Sequence, residues 1–182
     1  MNDRPILVKP DISMADEIMS YREEFLAAGS SMDGTTPLRS CETAGQWLDV
    51  IKALENKETV PAHWVPSTQY VYLRKSDGRF VGMIQLRHEL NEYLHSFGGH
   101  IGYSVRPSER RRGYASAMLA EFLPICREMN LGRVLITCAT DNEASRRTII
   151  KNGGVYENTV FEPDEKVNLE RYWIDLQHGR MK

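Results

Sequence analysis

Four arginines fall within seven residues, Arg106, Arg110, Arg111 and Arg112, and Gly113, Tyr114 and Ala115 follow directly. From there the chain turns apolar on one side, with Ala115, Met118, Leu119, Phe122 and Ile125 at helical spacing. A helix entered through such a loop presents first-turn amides that have no partner inside the helix and sit at the positive end of its dipole. Glycine lets a ligand come close to that backbone and the small Ala115 keeps the entrance clear, so the chemistry available is anion binding, most naturally of a diphosphate. Arginines at a helix start oppose the dipole by several tenths of a kcal/mol each, a cost that an anionic partner offsets. The residues alone leave three uses open: a plain strand-to-helix connection, a nucleic-acid patch, or a phosphate cradle. Neither GxxxxGK[ST] nor GxGxxG occurs in the chain.

Composition weighs on that choice. Among 182 residues, 23 Lys and Arg face 25 Asp and Glu, a formal charge of −2. A nucleic-acid binder shows a basic surplus and aromatic residues interleaved with its cations, and neither is present, so no nucleic-acid partner is expected. Cys41, Cys126 and Cys138 have unrelated spacings, which fits neither a disulfide framework nor a zinc site, and no metal is expected. No apolar run is long enough to span a bilayer, and "MNDRPILVKPD" has no signal-peptide core, so the expectation is a cytoplasmic chain with no membrane partner.

The elements that would position the arginine loop follow from periodicity and turn chemistry. "PILVKP" reads as a short strand stopped by Pro10. Ser13 can cap a helix whose apolar stripe is Ile18, Tyr21, Phe25 and Leu26, ended by Gly29. A second helix is predicted from about Glu42 to Glu55, with Trp47, Leu48, Ile51 and Leu54 on one face. "TQYVYLRK" and "FVGMIQLRHEL" flank the Asp77-Gly78 turn as an antiparallel hairpin. "HIGYSV" is a strand, Gly113 to Met129 a helix that Pro124 should kink or shorten, and "RVLITCAT" a buried strand. Asn142 or Asp141 caps a helix over "EASRRTIIKN", which stops at Gly153-Gly154; "VYENTVFE" and "NLERYWIDL" are two last strands. The whole, 1–182, reads as one α/β domain with helices inserted in a largely sequential sheet.

"RRRGYA", Arg110 to Ala115, resembles the acyl-CoA-binding motif (Q/R-x-x-G-x-G/A) of the GCN5-related N-acetyltransferases, the GNAT family. "HIGYSVRP" before it is similar to the family's central strand, and "RVLITCATDNEASRRTIIKNGG" after it to the next strand and an Asn-started helix. The resemblance covers roughly Phe80 to Phe161. It implies a twisted mixed sheet flanked by helices, with two central strands splayed apart, and acetyl-CoA as cosubstrate. It implies that backbone at Tyr103, Ser104 and Val105 bonds the pantetheine arm. Amides of Arg111, Arg112, Gly113, Tyr114 and Ala115 would hold the pyrophosphate, with Ser116 one residue further in. The side chains of Arg106, Arg110, Arg111 and Arg112 would supply charge or meet the 3′-phosphate. Asn142 matches the family Asn that points toward the cofactor arm, with Ser145 and Arg146 one turn on.

The pattern breaks at one place. Many members carry a Tyr seven residues after that Asn as the acid for the leaving thiolate, and here the position is Ile149. Tyr103 and Tyr156 are other tyrosines in the region. Attack by an amine needs a proton acceptor, for which His100, at the start of the central strand, and Glu89 are the candidates, with Glu92 and His95 behind them. Trp64, Tyr70, Tyr93 and Phe97 are expected to line an acceptor pocket, with Asp33, Glu89 and Glu92 drawing in a cationic amine. The expected activity is acetyl transfer to a primary amine of a small molecule or peptide by direct attack in a ternary complex. The alternative is an acyl-CoA-binding module with weak or no catalysis, and a homodimer is admissible.

Overall fold

The computed structural model describes residues 3–177. A three-residue strand, β1 (Ile6–Val8), leads to a 3₁₀ turn that Asp11 caps by accepting from the Ser13 amide at 2.8 Å. Helix α1 (Ala15–Ala27) grows out of that turn with no side-chain cap of its own. Ser13 is thus the donor and not the cap, because Asp11 has the carboxylate two residues upstream. Ile18, Tyr21 and Phe25 point inward as their spacing requires, whereas Leu26 is 38% exposed at the rim of the stripe. Helix α2 (Ala44–Leu54) starts in a reciprocal Thr43–Gln46 capping box and buries Trp47, Ile51 and Leu54.

Strands β2 (Ser67–Arg74) and β3 (Arg79–Arg87) are the predicted hairpin, with Gly78 at φ +70° in the turn and Arg74 clasping Asp77. β4 (Ile101–Val105) completes a four-stranded antiparallel sheet in the order β1-β2-β3-β4. Between β3 and β4 the chain winds into a π-helical turn over Leu94–Gly98. Helix α3 (Tyr114–Glu128) leads into β5 (Arg133–Ala139), helix α4 (Glu143–Lys151), β6 (Val155–Glu162) and β7 (Val167–Asp175). The last three strands form a second antiparallel sheet in the order β5-β7-β6, so the expected sequential order fails there: β7 inserts between its two predecessors. Pro124 sits inside α3 without ending it. Ala120, whose carbonyl loses its partner, and Pro124 are both on the exposed side, where water can take over the bond.

Helices α1 and α2 cover one face of the first sheet over a core that includes Tyr21, Phe25, Trp47, Phe80 and Met83. On the other face α3 and α4 enclose a second core with Ile84, Leu119, Phe122, Ile136 and Ile149. Covered on both faces, β3 reads as the near-continuous apolar run Phe80–Leu86. β4 and β5 meet at one end only. His100 donates its amide to the Leu135 carbonyl at 2.7 Å, and its Nδ1 accepts the Leu135 amide at 2.9 Å. Beyond that point no ladder joins β4 to β5, and the two central strands part.

Candidate active site

The parting of β4 and β5 leaves backbone groups to be satisfied. Bonds from the Arg87 amide to the His100 carbonyl and from the Arg106 amide to the Val81 carbonyl set the phase of the β3–β4 ladder. In that phase the even-numbered residues of β4 bond to β3, and Tyr103 and Val105 turn their amides and carbonyls toward the gap. Ser104 belongs to the other side, buried with its hydroxyl and carbonyl both 3.1 Å from the Tyr21 hydroxyl.

At the wide end of the gap lies the start of α3. Gly113 caps the helix at φ +81°, with no side-chain cap and no acidic residue in the first turn. Arg111 is also left-handed, at φ +63°. The first intrahelical bond runs from the Ala117 amide to the Gly113 carbonyl, which leaves the amides of Tyr114, Ala115 and Ser116 without internal acceptors. A Cβ at Gly113 would meet nothing within 4 Å, so the space beside the capping residue is open. Ser116 faces α4, with its hydroxyl and carbonyl each 3.3 Å from Asn152 Nδ2. The Tyr114 ring packs against Tyr72, and its hydroxyl lies 3.4 Å from Arg74 Nη1.

The arginines divide in a way their clustering hides. Arg106, expected to meet a phosphate, is 1% exposed and points under β3 toward α1. There it bonds the Phe80 carbonyl at 2.8 Å and pairs with Glu17 and Glu24. It is a structural brace, because strand alternation sends its side chain to the face opposite the gap. Arg110 folds back on the Val105 carbonyl and Ser30, over the Phe25 ring. Arg112 pairs at 3.1 Å with Glu109, a 5%-exposed carboxylate that also holds Arg74 and Arg79. Arg111 is exposed and forms no ion pair among the described residues. The cluster keeps more guanidinium than carboxylate, so the loop is electropositive.

On the α4 side, Asn142 caps the helix by accepting from the Ser145 amide at 3.1 Å. Tyr103 reaches across the gap to Ser145, hydroxyl to hydroxyl at 2.8 Å, and burial pushes its pKa up to about 12. Arg146 is tied to Glu170 and Glu143. Ile149 is fully buried in the core behind α4, and Tyr156 is exposed on β6, bonded to Thr159.

The expected bases take other positions. His100 is 7% exposed with Nδ1 occupied by the Leu135 amide, which leaves the proton on Nε2 and no free lone pair. Burial, with Arg87, His95 and Arg133 nearby, lowers its pKa to about 4. Glu89 is a surface residue paired with Lys57 at 2.6 Å. His88 bonds Thr68, and no group of three His, Cys, Asp or Glu gathers among the described residues.

A cavity of about 360 Å³ opens on the α1/α2 face. Of the four aromatics expected at an acceptor pocket, Trp64 and Tyr93 line this cavity, whereas Tyr70 packs on Phe122 across the sheet and Phe97 stacks behind Tyr93. Its floor is Ser67, Gln85 and Arg87, polar residues of the central hairpin outside the set the sequence points to. The signal was present as Gln85 and Arg87, two residues apart in an otherwise apolar strand. The loop with Gly34 (φ +70°) seals one side: a Cβ at Gly34 would lie 2.2 Å from the Gly102 carbonyl oxygen, so only glycine lets the loop lie on β4.

The family model "Acetyltransferase (GNAT) domain" matches residues 6–155. The chain belongs to the GNAT acetyltransferase family. It is an acyltransferase built on that family's α/β fold. Solved structures share the fold over nearly the whole chain. A ribosomal-protein-S5-alanine acetyltransferase from Vibrio fischeri covers 99% of this GNAT chain and 97% of its own, at TM-score 0.71 and 13% identity. A microcin C7 self-immunity acetyltransferase, MccE, in complex with acetyl-CoA and AMP covers 96% and 93%, at 0.67 and 15%. A dodecameric spermidine N-acetyltransferase from Vibrio cholerae covers 100% of both chains, at 0.65 and 14%. Identities this low speak for the shared fold alone. No curated protein sequence matches the chain at a significant level. No helix among the described residues is long and apolar enough to cross a membrane.

Proposed function

We propose that this GNAT enzyme transfers the acetyl group of acetyl-CoA to a primary amine by direct attack in a ternary complex. The observation that carries the reading is the β4–β5 gap opening directly onto the uncapped start of α3. The amides of Tyr114, Ala115 and Ser116, with those of Arg111 to Gly113, suit a pyrophosphate. The gap-facing backbone of Tyr103 and the Val105 amide suit the amide groups of a pantetheine arm. MccE, with acetyl-CoA bound on the same fold, supports this choice of cosubstrate.

The amine nitrogen attacks the thioester carbonyl carbon, the C–S bond breaks, and the thiolate leaves. Ile149 offers no proton to that thiolate. Tyr103, whose hydroxyl lies in the gap at Ser145 and stays protonated near neutral pH, is the donor in this reading. The proton lost by the amine passes to water in the open cavity. The second reading, a CoA-binding module with weak catalysis, is favoured by the burial of Ile149 where the family carries a hydroxyl.

Thermal shift with acetyl-CoA, together with thiol release across an amine panel, tests the pair. Stabilisation with release on any amine supports the enzyme. Stabilisation without release on any acceptor leaves the binding module, and no response to acetyl-CoA refutes both.

A further inference from the structure

Arg87 is the one cation on the floor of the acceptor cavity, and its guanidinium is only half used. Nη1 donates to the carbonyls of Gly98 at 2.9 Å and Gly99 at 3.0 Å, which fixes the plane of the fork. Nε and Nη2 make no hydrogen bond and Arg87 makes no ion pair among the described residues; the residue is half-buried, with that edge open to solvent. Burial pulls its pKa below the usual arginine range, with Asp33 and Tyr93 opposing from a distance. No Asp or Glu lines the cavity. Gln85, 3% exposed, and Ser67, 4% exposed, complete a polar floor under the aromatic walls of Trp64 and Tyr93.

A half-buried guanidinium whose open edge faces a cavity with no carboxylate in its lining is a ready partner for an anionic ligand group. The free Nε–Nη2 edge presents two parallel N–H donors, the geometry that a carboxylate meets with both oxygens. The edge also lies at the reacting strand: a Cβ placed on Gly102 of β4 would be 3.6 Å from Nη2. Asp33 adjoins Gly34 on the same side, a carboxylate suited to the ammonium end of a short zwitterion.

We propose that the acceptor is a small amine that also carries a carboxylate, an amino acid, with its carboxylate seated on the Nε–Nη2 edge of Arg87. This rests on the acetyl-transfer reading. A polyamine, cationic along its length, would leave the Nε–Nη2 edge without an acceptor and set like charge against it.

The test uses the full chain saturated with CoA. N-acetyl amino acids with small, aliphatic and aromatic side chains are titrated against their own carboxamides, with tryptophan fluorescence as the readout because Trp64 lines the cavity. The carboxylates should bind about tenfold or more tightly than the amides, as one bidentate charged pair warrants. Arg87→Gln should erase the difference and Arg87→Lys keep part of it, while both retain the thermal shift with acetyl-CoA that reports a folded protein. In thiol release, free amino acids should outrun their amides, dipeptides and spermidine. Equal binding of acid and amide, an unchanged preference in Arg87→Gln, or spermidine as the better acceptor overturns the proposal. Acid-over-amide discrimination with no thiol release from any amine upholds the carboxylate seat and refutes the transfer reading instead.

Discussion

Arg106 is the sharpest place to separate a charge that binds cofactor from a charge that holds the fold. Its side chain, 1% exposed, spans from β4 to α1 with bonds to the Phe80 carbonyl, Ser20, Glu17 and Glu24, and it lies 5.3 Å from the Tyr21 ring centre. Arg106→Met fills most of the volume but takes the buried cation away from Glu17, left with the Phe80 amide, and from Glu24, left with Arg79 and the Ser108 amide. Breaking a buried pair from one side costs about 3–5 kcal/mol. Glu17 and Glu24 are each about a quarter exposed and can turn partly to water, which puts the cost at the low end, about 3 kcal/mol. For a domain of this size each kcal/mol lowers Tm by roughly 2–4 °C, so differential scanning calorimetry should record a fall of roughly 6–12 °C. Acetyl-CoA affinity, measured by calorimetric titration well below the new Tm, should stay at the wild-type value. Unchanged Tm with tenfold weaker acetyl-CoA binding would mean that Arg106 reaches the phosphate, and the brace assignment would be wrong.

Tyr103→Phe should lower kcat by about a hundredfold, the low end for a lost proton donor, with KM for acetyl-CoA unchanged; a full-rate variant would exclude Tyr103 as the donor. His100 has its pKa lowered from 6.5 to about 4 in the folded state, so between those values the unfolded chain binds a proton that the folded chain does not. Its contribution, at most about 3 kcal/mol, is therefore complete above pH 6.5 and lost as pH falls toward 4. His100→Asn keeps an acceptor for the Leu135 amide and should flatten the Tm–pH curve in that window; an equally steep curve in the variant would place the titration elsewhere. At Gly113, Ala should cost about 1–2 kcal/mol for its left-handed backbone yet keep the acetyl-CoA thermal shift. Gly113→Glu should lose that shift as well, because a carboxylate would stand over the open amides; a retained shift in folded Gly113→Glu would remove the cradle.

Much of the local structure was legible. The Asp77-Gly78 hairpin, the Asn142 cap and β6 at Val155–Glu162 stand where turn chemistry and period put them, because each depends on residues a few positions apart. Pro124 does not shorten α3, since its cost depends on whether the freed carbonyl meets water, which is a matter of tertiary exposure. The arginine loop is a helix entrance, as its spacing predicts, but the Glu17 partner of Arg106 lies 89 residues away, beyond any local pattern.

By itself the sequence determined the elements, the glycine-started helix and the family resemblance, all carried by short-range spacing. Tertiary structure decided which of the four arginines is buried and closed His100 against the Leu135 amide. It also set Arg87 on the floor of a cavity that its neighbours in sequence do not reveal. The reason is geometric: a side chain's neighbours across a sheet are set by register and by which face a strand turns outward, and one residue of alternation separates a buried brace from a group free to meet a ligand.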